Sequence, residues 1–149
     1  FRRVLFRSRE LPTEAEWEWA ARAGAADQSW DEPRDTRGKV IANTWQGSFP
    51  MWNTDEDGFD GLAPAGCFPA NAYGLHDMIG NAWEWTTDRD DSLEGAPDAP
   101  SHVIKGGSYL CSNDFCARYR PAARQAAEDS LGTSHISFRT IRRTTGMTR

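Results

Sequence analysis

The chain has 149 residues, of which 26% are charged, and its 17 basic and 22 acidic residues give a formal net charge of -5. No apolar run approaches the roughly 20 residues of a membrane-spanning helix, and the negative charge argues against a nucleic-acid partner, because phosphates attract basic surfaces. Seven Trp, seven Phe and three Tyr predict a packed domain, and three cysteines cannot all pair into a disulfide scaffold.

Both ends of the chain are predicted to lie outside the fold. Residues 1–8 are basic and apolar, too short for a signal peptide and without a small-residue cleavage site, so we interpret them as a stray segment. The tail at 143–149 is basic and polar and is expected to fray. The sequence therefore predicts one domain over residues 9–142.

The first predicted element is a helix that begins near Thr13. Glu16 follows Thr13 three residues later, which is the pattern of a capping box. Trp17, Ala20 and Ala21 recur at helical spacing on one face. A glycine three residues after Ala21 offers a C-terminal stop. The predicted role of this helix is packing.

From residue 25 to residue 69 no helix or strand pattern holds. Gly, Pro, Asn and Asp recur every few residues among scattered aromatic residues. A loop this long in a compact domain is either functional or held in place, and a bound metal is one candidate for what holds it. Asn43 and Thr44, together with the acidic run that contains Asp57 and ends at Phe59, have the oxygen atoms that calcium prefers. A solvated acidic turn has the same pattern.

A short strand is predicted where Trp83 and Trp85 alternate with Glu84 and Thr86. Just before it, Asp77 and Glu84 place carboxylates at the two ends of a turn that contains glycine. Such a turn offers oxygen ligands to calcium, and a solvated acidic turn again fits the same residues.

The last third of the chain has strand-like segments joined by loops. After a polar loop at 89–101, residues 103–104 lead through two glycines to Ser108, and alternation typical of a strand returns at 115–119 and 136–141. Ser108 has no evident base beside it, so a Ser-His-Asp triad is not predicted. Together the patterns predict an α+β domain with short irregular strands, at least one helix and much loop.

Cys111 and Cys116 enclose the segment C-S-N-D-F-C. Their spacing leaves four interpretations open: small core residues, a strained local disulfide, half of a zinc site, or two thiolates for a soft ion such as Cu(I). The third cysteine is Cys67, so a second zinc-binding pair is absent from the sequence. On a strand, Arg118 and Arg120 would share a face with Cys116, either as a charged surface or as cations that lower the pKa of the thiols.

Six motifs occur in a recognisable order along the predicted domain. They are Leu11-Pro12-Thr13-Glu14-Ala15-Glu16-Trp17-Glu18, Tyr73-Gly74-Leu75, Gly80-Asn81-Ala82-Trp83-Glu84-Trp85, Gly106-Gly107-Ser108-Tyr109, the Cys111/Cys116 pair with Arg118-Tyr119-Arg120, and Phe138-Arg139. In this order they resemble the sulfatase-modifying factor family, and most of all its formylglycine-generating enzymes. The two cysteines at this spacing separate that branch from other members of the superfamily.

The resemblance implies a fold related to C-type lectins, rich in loops, with short strands and few helices. It also implies a copper-dependent oxidase, which uses dioxygen to convert the cysteine of a Cys-x-Pro-x-Arg motif in a sulfatase polypeptide to Cα-formylglycine. By position, Cys111 and Cys116 would be the Cu(I) ligands, and Ser108 and Trp83 would line the pocket. The residues expected to contact the substrate are Tyr109, Arg118 and Arg120.

Two calcium sites are implied by the same resemblance. The first would use Asn43, Asp57 and the carbonyl groups of Thr44 and Phe59. The second would use Asp77, Glu84 and the carbonyl groups of Gly80 and Ala82. Both sets fall on the acidic clusters described above.

Three features depart from the family pattern. The long segment that precedes the first motif in the family is missing, so we expect the chain to lack the N-terminal part of the domain. Ser137 stands where the family has Gly before Phe-Arg. The cysteines of secreted members are replaced by Ala21, Pro121 and Thr140, which favours a reducing, bacterial cytoplasmic location.

Two other functions are compatible with the motifs. One is a non-catalytic, lectin-like binding module that keeps the calcium sites. The other is a relative of the non-haem iron sulfoxide synthases, which share the fold but need a histidine-rich iron site. The three histidines here are scattered, which argues against iron.

Overall fold

The computed structural model of the chain describes residues 9–25, 33–90 and 100–143. The predicted segment at 1–8 lies outside the described residues, as does the predicted tail apart from Arg143. The described part is an α+β domain with one helix, one small sheet and long ordered loops, so the predicted fold class is confirmed.

Helix α1 spans Glu14–Arg22 and begins as predicted. The capping box is complete: the Glu16 amide donates to Thr13 Oγ1 over 3.2 Å, and the Thr13 amide donates to Glu16 Oε2 over 2.8 Å. The helix ends at Ala23, which adopts the left-handed conformation one residue before the predicted glycine stop. Trp17 and Ala21 are buried, so the predicted packing face is confirmed.

Four strands form one sheet in the order β3-β2-β1-β4. Their bounds are β1 Trp83–Arg89, β2 Ser101–Lys105, β3 Gln125–Glu128 and β4 Ile136–Ser137. β2 lies antiparallel to β1 and β3, and the short β4 is parallel to β1. The strand predicted around Trp83 is confirmed, whereas β3 was not predicted.

The prediction of a strand at 115–119 is wrong. This segment consists of turns and irregular backbone. Its hydrogen bonds run between neighbouring residues of the loop, for example from the Cys116 amide to the Ser112 carbonyl over 3.1 Å. Local turn bonds therefore replace the ladder that the alternating aromatic pattern suggested.

The helix and the sheet enclose two adjoining groups of buried side chains. Trp17, Ala21 and Met78 form the core under the helix. Trp83, Ile104, Cys111, Tyr119 and Ala127 form the core on the sheet. The fully buried Lys105 joins the layers, because its ammonium group lies 3.2 Å from a Glu14 oxygen and 3.5 Å from a Glu18 oxygen. Within the described residues, none of the helical structure is long and apolar enough to cross a membrane.

Candidate functional site

The thiols of Cys111 and Cys116 lie in one loop that leaves the sheet after β2. Cys111 is held at both of its main-chain groups: its amide donates to the Ser108 carbonyl over 2.9 Å, and its carbonyl accepts from the Trp45 amide over 3.0 Å. The Sγ atoms of Cys111 and Cys116 are 3.3 Å apart, and both residues are free cysteines. Cys67 is exposed and belongs to a different loop.

The pKa values of the two thiols are shifted in opposite directions. The hydrogen bond from Cys111 and, to a smaller extent, the nearby charge of Arg118 lower the pKa of Cys116 to about 6 against the opposing effect of burial. The same hydrogen bond, together with burial, raises the pKa of Cys111. One thiolate and one thiol are therefore expected near neutral pH, with the negative charge on the more accessible sulfur.

Ser108 and Trp83, which the resemblance assigns to the pocket, both belong to the buried surroundings of Cys111. Trp83 is only 3% exposed and packs in the same core cluster as Cys111, with Cys116 at its edge. Ser108 is also buried, and a hydrogen bond from its side chain to Cys111 favours the ionised form of that thiol, which partly opposes the rise in its pKa. The pair thus has an apolar wall and one hydroxyl group.

The three residues expected to contact the substrate flank the thiol loop in the chain: Tyr109 is half-buried, and Arg118 and Arg120 are exposed. Arg118 Nη1 donates to Gln125 Oε1 over 2.5 Å, and Arg120 Nε donates to the Ala117 carbonyl over 3.2 Å. Both arginines are exposed, but they do not share the face of a strand, since the segment is a turn. The Tyr109 amide donates to the Asn81 carbonyl over 3.0 Å, which fixes the backbone just before the loop.

A stacked aromatic pair that includes the neighbour of Cys116 was not predicted as part of the site. Phe115 is 66% exposed and stacks on Phe49 with 4.4 Å between ring centroids. A cavity of about 410 Å³ also borders the loop and is lined in part by Asn113, Asp114 and Tyr119. The sequence signal for the aromatic pair was weak, because the two residues lie far apart in the chain.

The first predicted calcium set is gathered in one place by the long loop. Asp57 Oδ2 accepts from the Thr44 amide over 3.2 Å and from Gln46 Nε2 over 2.8 Å, while Asp57 Oδ1 accepts from the Phe59 amide over 3.0 Å. Asn43 is 1% exposed, and its Oδ1 has no hydrogen-bond partner. A buried acceptor without a donor is costly, and a hard cation would satisfy it. Asn43 Oδ1 is therefore the atom of this set that a cation would satisfy, since the Thr44 carbonyl already accepts from Gln46 Nε2.

The second predicted calcium set is arranged differently. Glu84 Oε1 accepts from Arg139 Nη2 over 2.7 Å, and Glu84 Oε2 accepts from Trp17 Nε1 over 2.7 Å. Asp77 Oδ2 accepts from the Gly66 amide over 2.7 Å. The guanidinium group already neutralises Glu84, so these residues, as they are arranged, do not fit a second cation.

Three polar residues with structural roles in these loops were not identified from the sequence. Gln46 contacts Asp57 through both ends of its amide, Asn81 bridges separate loops, and Arg139 pairs with Glu84. A side-chain amide has no charge or spacing pattern that marks it in advance. Asn81 and Arg139 did stand in recognised motifs, although their partners were not predicted.

Clusters of three or more His, Cys, Asp or Glu side chains with metal-binding geometry are not found within residues 9–25, 33–90 and 100–143. The histidines are separate: His76 contacts the Phe68 carbonyl over 2.7 Å, and His102 contacts Asp129 over 2.6 Å. A metal in the described part of the chain would thus depend on the thiol pair, or on a single carboxylate supplemented by amide and main-chain oxygens.

The sequence of this chain matches a known protein family and several of its members. Residues 5–144 match the family described as "Sulfatase-modifying factor enzyme 1-like domain". The formylglycine-generating enzyme of Mycobacterium tuberculosis is 46% identical over 151 residues, covering 89% of this chain and 50% of that protein. The inactive C-alpha-formylglycine-generating enzyme 2 of Bos taurus is 38% identical over 85% of this chain and 43% of that protein.

A solved structure matches at the level of the fold. PvdO from Pseudomonas aeruginosa superposes with a TM-score of 0.67 and 30% sequence identity, covering 91% of this chain and 53% of that one. The chain thus spans about half the length, or less, of the curated relatives it matches.

Proposed function

The chain belongs to the sulfatase-modifying factor family, and we propose that it carries the cysteine pair of a formylglycine-generating oxidase. The proposed reaction oxidises the cysteine of a Cys-x-Pro-x-Arg motif in a sulfatase to Cα-formylglycine, with dioxygen as the oxidant and copper as the cofactor. The observation that carries the proposal is the pair of free thiols, Cys111 and Cys116, with 3.3 Å between their Sγ atoms.

The donor chemistry of this pair suits copper. Two sulfur ligands without a nearby imidazole or carboxylate cluster favour a soft ion such as Cu(I) over zinc or calcium. When bound, copper would supply the redox and dioxygen chemistry that side chains lack. Cys116 would hold the ion as the readily ionised thiol, and Cys111 would hold it from the buried side.

The other residues of the site would orient the sulfur atoms and control solvent. Trp83, which belongs to the same buried cluster as Cys111, would help to keep water from that sulfur. Ser108 would stabilise the ionised form of Cys111 through its hydrogen bond. The charge of Arg118 would stabilise the thiolate of Cys116.

The surface around Cys116 would receive the substrate polypeptide. Arg118, Arg120 and Phe115 are exposed and lie within four residues of Cys116 in the chain. Phe115 offers an apolar contact and the arginines offer hydrogen-bond donors, which together suit an extended peptide with polar main-chain carbonyl groups. Tyr109 would contact the substrate from the turn that precedes the thiol loop.

We propose one calcium ion in the long loop. Its ligands would be Asn43, Asp57 and the carbonyl groups of Thr44 and Phe59, supported by the unpartnered Oδ1 atom of Asn43. The ion would fix a loop that otherwise has little regular structure. The second calcium set is left out of this proposal, because Arg139 already neutralises Glu84.

The proposed location is a reducing bacterial cytoplasm. Both thiols must stay reduced to bind copper, and in an oxidising compartment two sulfur atoms this close would be prone to form a disulfide.

The experiment reads aldehyde formation directly. The chain, in its complete reading frame, is reduced, loaded with Cu(I) and incubated with oxygen and a Cys-x-Pro-x-Arg peptide, and formylglycine is measured by mass spectrometry. Cys111→Ser and Cys116→Ser should abolish the product, and the matched control Cys67→Ser should retain it, because Cys67 is exposed in another loop.

The competing function is a non-catalytic binding module, which the 38% identity to an inactive relative makes a specific alternative. If copper-loaded protein binds the peptide but forms no aldehyde, the oxidase proposal fails and the binding module takes its place. A loss of peptide binding in Cys67→Ser would contradict both assignments of the site.

A further inference from the structure

The turn between the two cysteines is organised by Ser112. This residue is 1% exposed. Its Oγ donates to Asp114 Oδ1 over 2.5 Å and accepts from the Phe115 amide over 3.1 Å. Its carbonyl accepts from the Cys116 amide over 3.1 Å. One serine thus contacts Asp114, Phe115 and Cys116 in the turn that brings the second thiol back toward the first.

The start of the turn is fixed independently of Ser112. Cys111 is held by main-chain bonds to Ser108 and Trp45, and Tyr119 Oη donates to Asn113 Oδ1 over 3.1 Å. The position of Cys111 is therefore set by the surrounding fold. The position of Cys116 relative to it depends on how the intervening residues turn, and the Ser112 hydroxyl provides two of the hydrogen bonds that define that turn.

We propose that Ser112 is a positioning residue for the thiol pair. Its hydroxyl group holds the loop so that the Sγ atoms of Cys111 and Cys116 stay adjacent and can close together on one sulfur-binding ion. The proposal rests on the proposed function only where that ion is copper. The position needs a small side chain that can both donate and accept a hydrogen bond, because Oγ donates to Asp114 and accepts from the Phe115 amide inside a buried turn.

Ser101 provides a matched control for the general effect of deleting a buried serine hydroxyl. It is 2% exposed and is the first residue of β2, away from the thiol loop. Its Oγ donates to the Asp90 carbonyl. Ser101→Ala and Ser112→Ala should each cost stability, since each leaves buried polar groups unpaired. Only Ser112→Ala should change the behaviour of the two thiols.

Two probes of the thiol pair form the test. Phenylarsine oxide, which contains no copper, forms two As–S bonds with adjacent thiols, and its oxygen leaves with the two thiol protons as one water; arsenic keeps its oxidation state. Cu(I) affinity is measured by competition with a chromophoric chelator. We expect Ser112→Ala to weaken capture of both probes about tenfold, the effect of roughly one lost hydrogen bond. Ser101→Ala and the conservative Ser112→Thr should stay within about threefold of wild type.

Asp114→Ala provides a second route to the same turn, and it decides the matter if Ser112→Ala does not fold. It should weaken both probes less than Ser112→Ala does, because the bond from the Phe115 amide remains. The double variant should be little worse than Ser112→Ala, because that variant has already lost the contact with Asp114. Probe binding in Ser112→Ala or Asp114→Ala equal to that in Ser101→Ala would overturn the proposal. If wild type captures the arsenical but not Cu(I), the proposed copper function fails. The arsenical results for the variants still test whether Ser112 positions the thiol pair.

Discussion

Glu84 has two competing partners for its negative charge, and a single substitution separates them. In the structure its carboxylate is paired with Arg139 and accepts a bond of 2.7 Å from Trp17 Nε1. The family resemblance instead assigns it to a calcium ion. Glu84→Gln keeps the size of the side chain but removes the charge, so either partner would lose its anion.

The expected loss can be estimated from burial. The Glu84 side chain is 11% exposed and the Arg139 side chain is 24% exposed. Breaking a buried pair by neutralising one member costs about 3–5 kcal/mol. Arg139 keeps bonds of 3.2 Å to the carbonyl groups of His76 and Asp77 and some contact with solvent, so we expect the lower end, about 3 kcal/mol. At about 2–4 °C per kcal/mol for a chain of this size, the melting temperature should fall by about 6–12 °C.

Thermal denaturation followed by circular dichroism, in chelator and in excess calcium, provides the measurement. The control is Glu10→Gln, because Glu10 also pairs with an arginine, Arg143, but the two side chains are 51% and 49% exposed. That exposed pair should contribute less than about 1 kcal/mol. If Glu84→Gln in chelator loses no more than Glu10→Gln, the buried pairing is refuted. A loss seen only in calcium would assign the charge to the second calcium site instead.

Three further outcomes are expected. Chelation should lower the melting temperature of wild type, because Asn43 Oδ1 would lose its cation. Asn43→Ala should reduce that response. Melting curves that do not respond to chelator would exclude the calcium site at Asn43. The hydrogen bond from Arg143 lowers the pKa of Glu16 from 4.5 to about 2, so its stabilisation is present above about pH 4.5 and lost toward pH 2. Urea unfolding of Glu16→Gln should show a flatter acid limb, by less than about 1 kcal/mol since solvent screens this exposed pair. In the metal-free protein at neutral pH, iodoacetamide should modify Cys116 before Cys111, as judged by peptide mass spectrometry, because the pKa of Cys116 is lowered and Cys111 is buried; equal rates would contradict this.

Helix α1 was predictable because its signals are local. Thr13 and Glu16 form their reciprocal bonds within four residues, and Trp17 and Ala21 repeat at helical spacing. Strand β3 was not predictable, since Gln125–Glu128 has no β-branched or aromatic residue. It is a strand because its backbone pairs with β2, where Val103 faces Ala126. That pairing is a tertiary effect that overrides a weak local preference.

The candidate site shows the same division. The five-residue spacing of Cys111 and Cys116 suggested a shared site, and the structure brings their sulfur atoms together. The alternating residues at 115–119 nevertheless misled the strand prediction, because the Ser112 hydroxyl bonds the backbone of its own turn. The pairing of Glu84 with Arg139 joins residues 55 positions apart, so no local pattern could indicate it.

Loops rather than strands connect the segment that contains Asn43 to the segment that precedes Cys111, and Asn81 bonds to both. Its amide donates to the Asn43 carbonyl over 2.7 Å, and its carbonyl accepts from the Tyr109 amide over 3.0 Å. Its side chain exchanges bonds with Ala63, accepting over 2.9 Å and donating over 3.1 Å, and accepts from Asn43 Nδ2 over 3.0 Å. The residue also has a φ of 62°, in the left-handed region that Asn tolerates better than most residues.

Two substitutions at this position separate the hydrogen bonds from the backbone conformation. Asn81→Gly removes three side-chain bonds but accepts the positive φ, so it should cost about 3 kcal/mol at about 1 kcal/mol per bond. Asn81→Ala loses the same bonds and adds left-handed strain, so it should be about 1 kcal/mol less stable than Asn81→Gly in urea unfolding. Because Asn81 joins the Asn43 loop to the segment that precedes Cys111, both variants should also weaken Cu(I) binding, although neither touches a sulfur atom. Copper affinity that stays at the wild-type value while stability falls would mean that the thiol loop is positioned without this junction, and would confine the role of Asn81 to the fold.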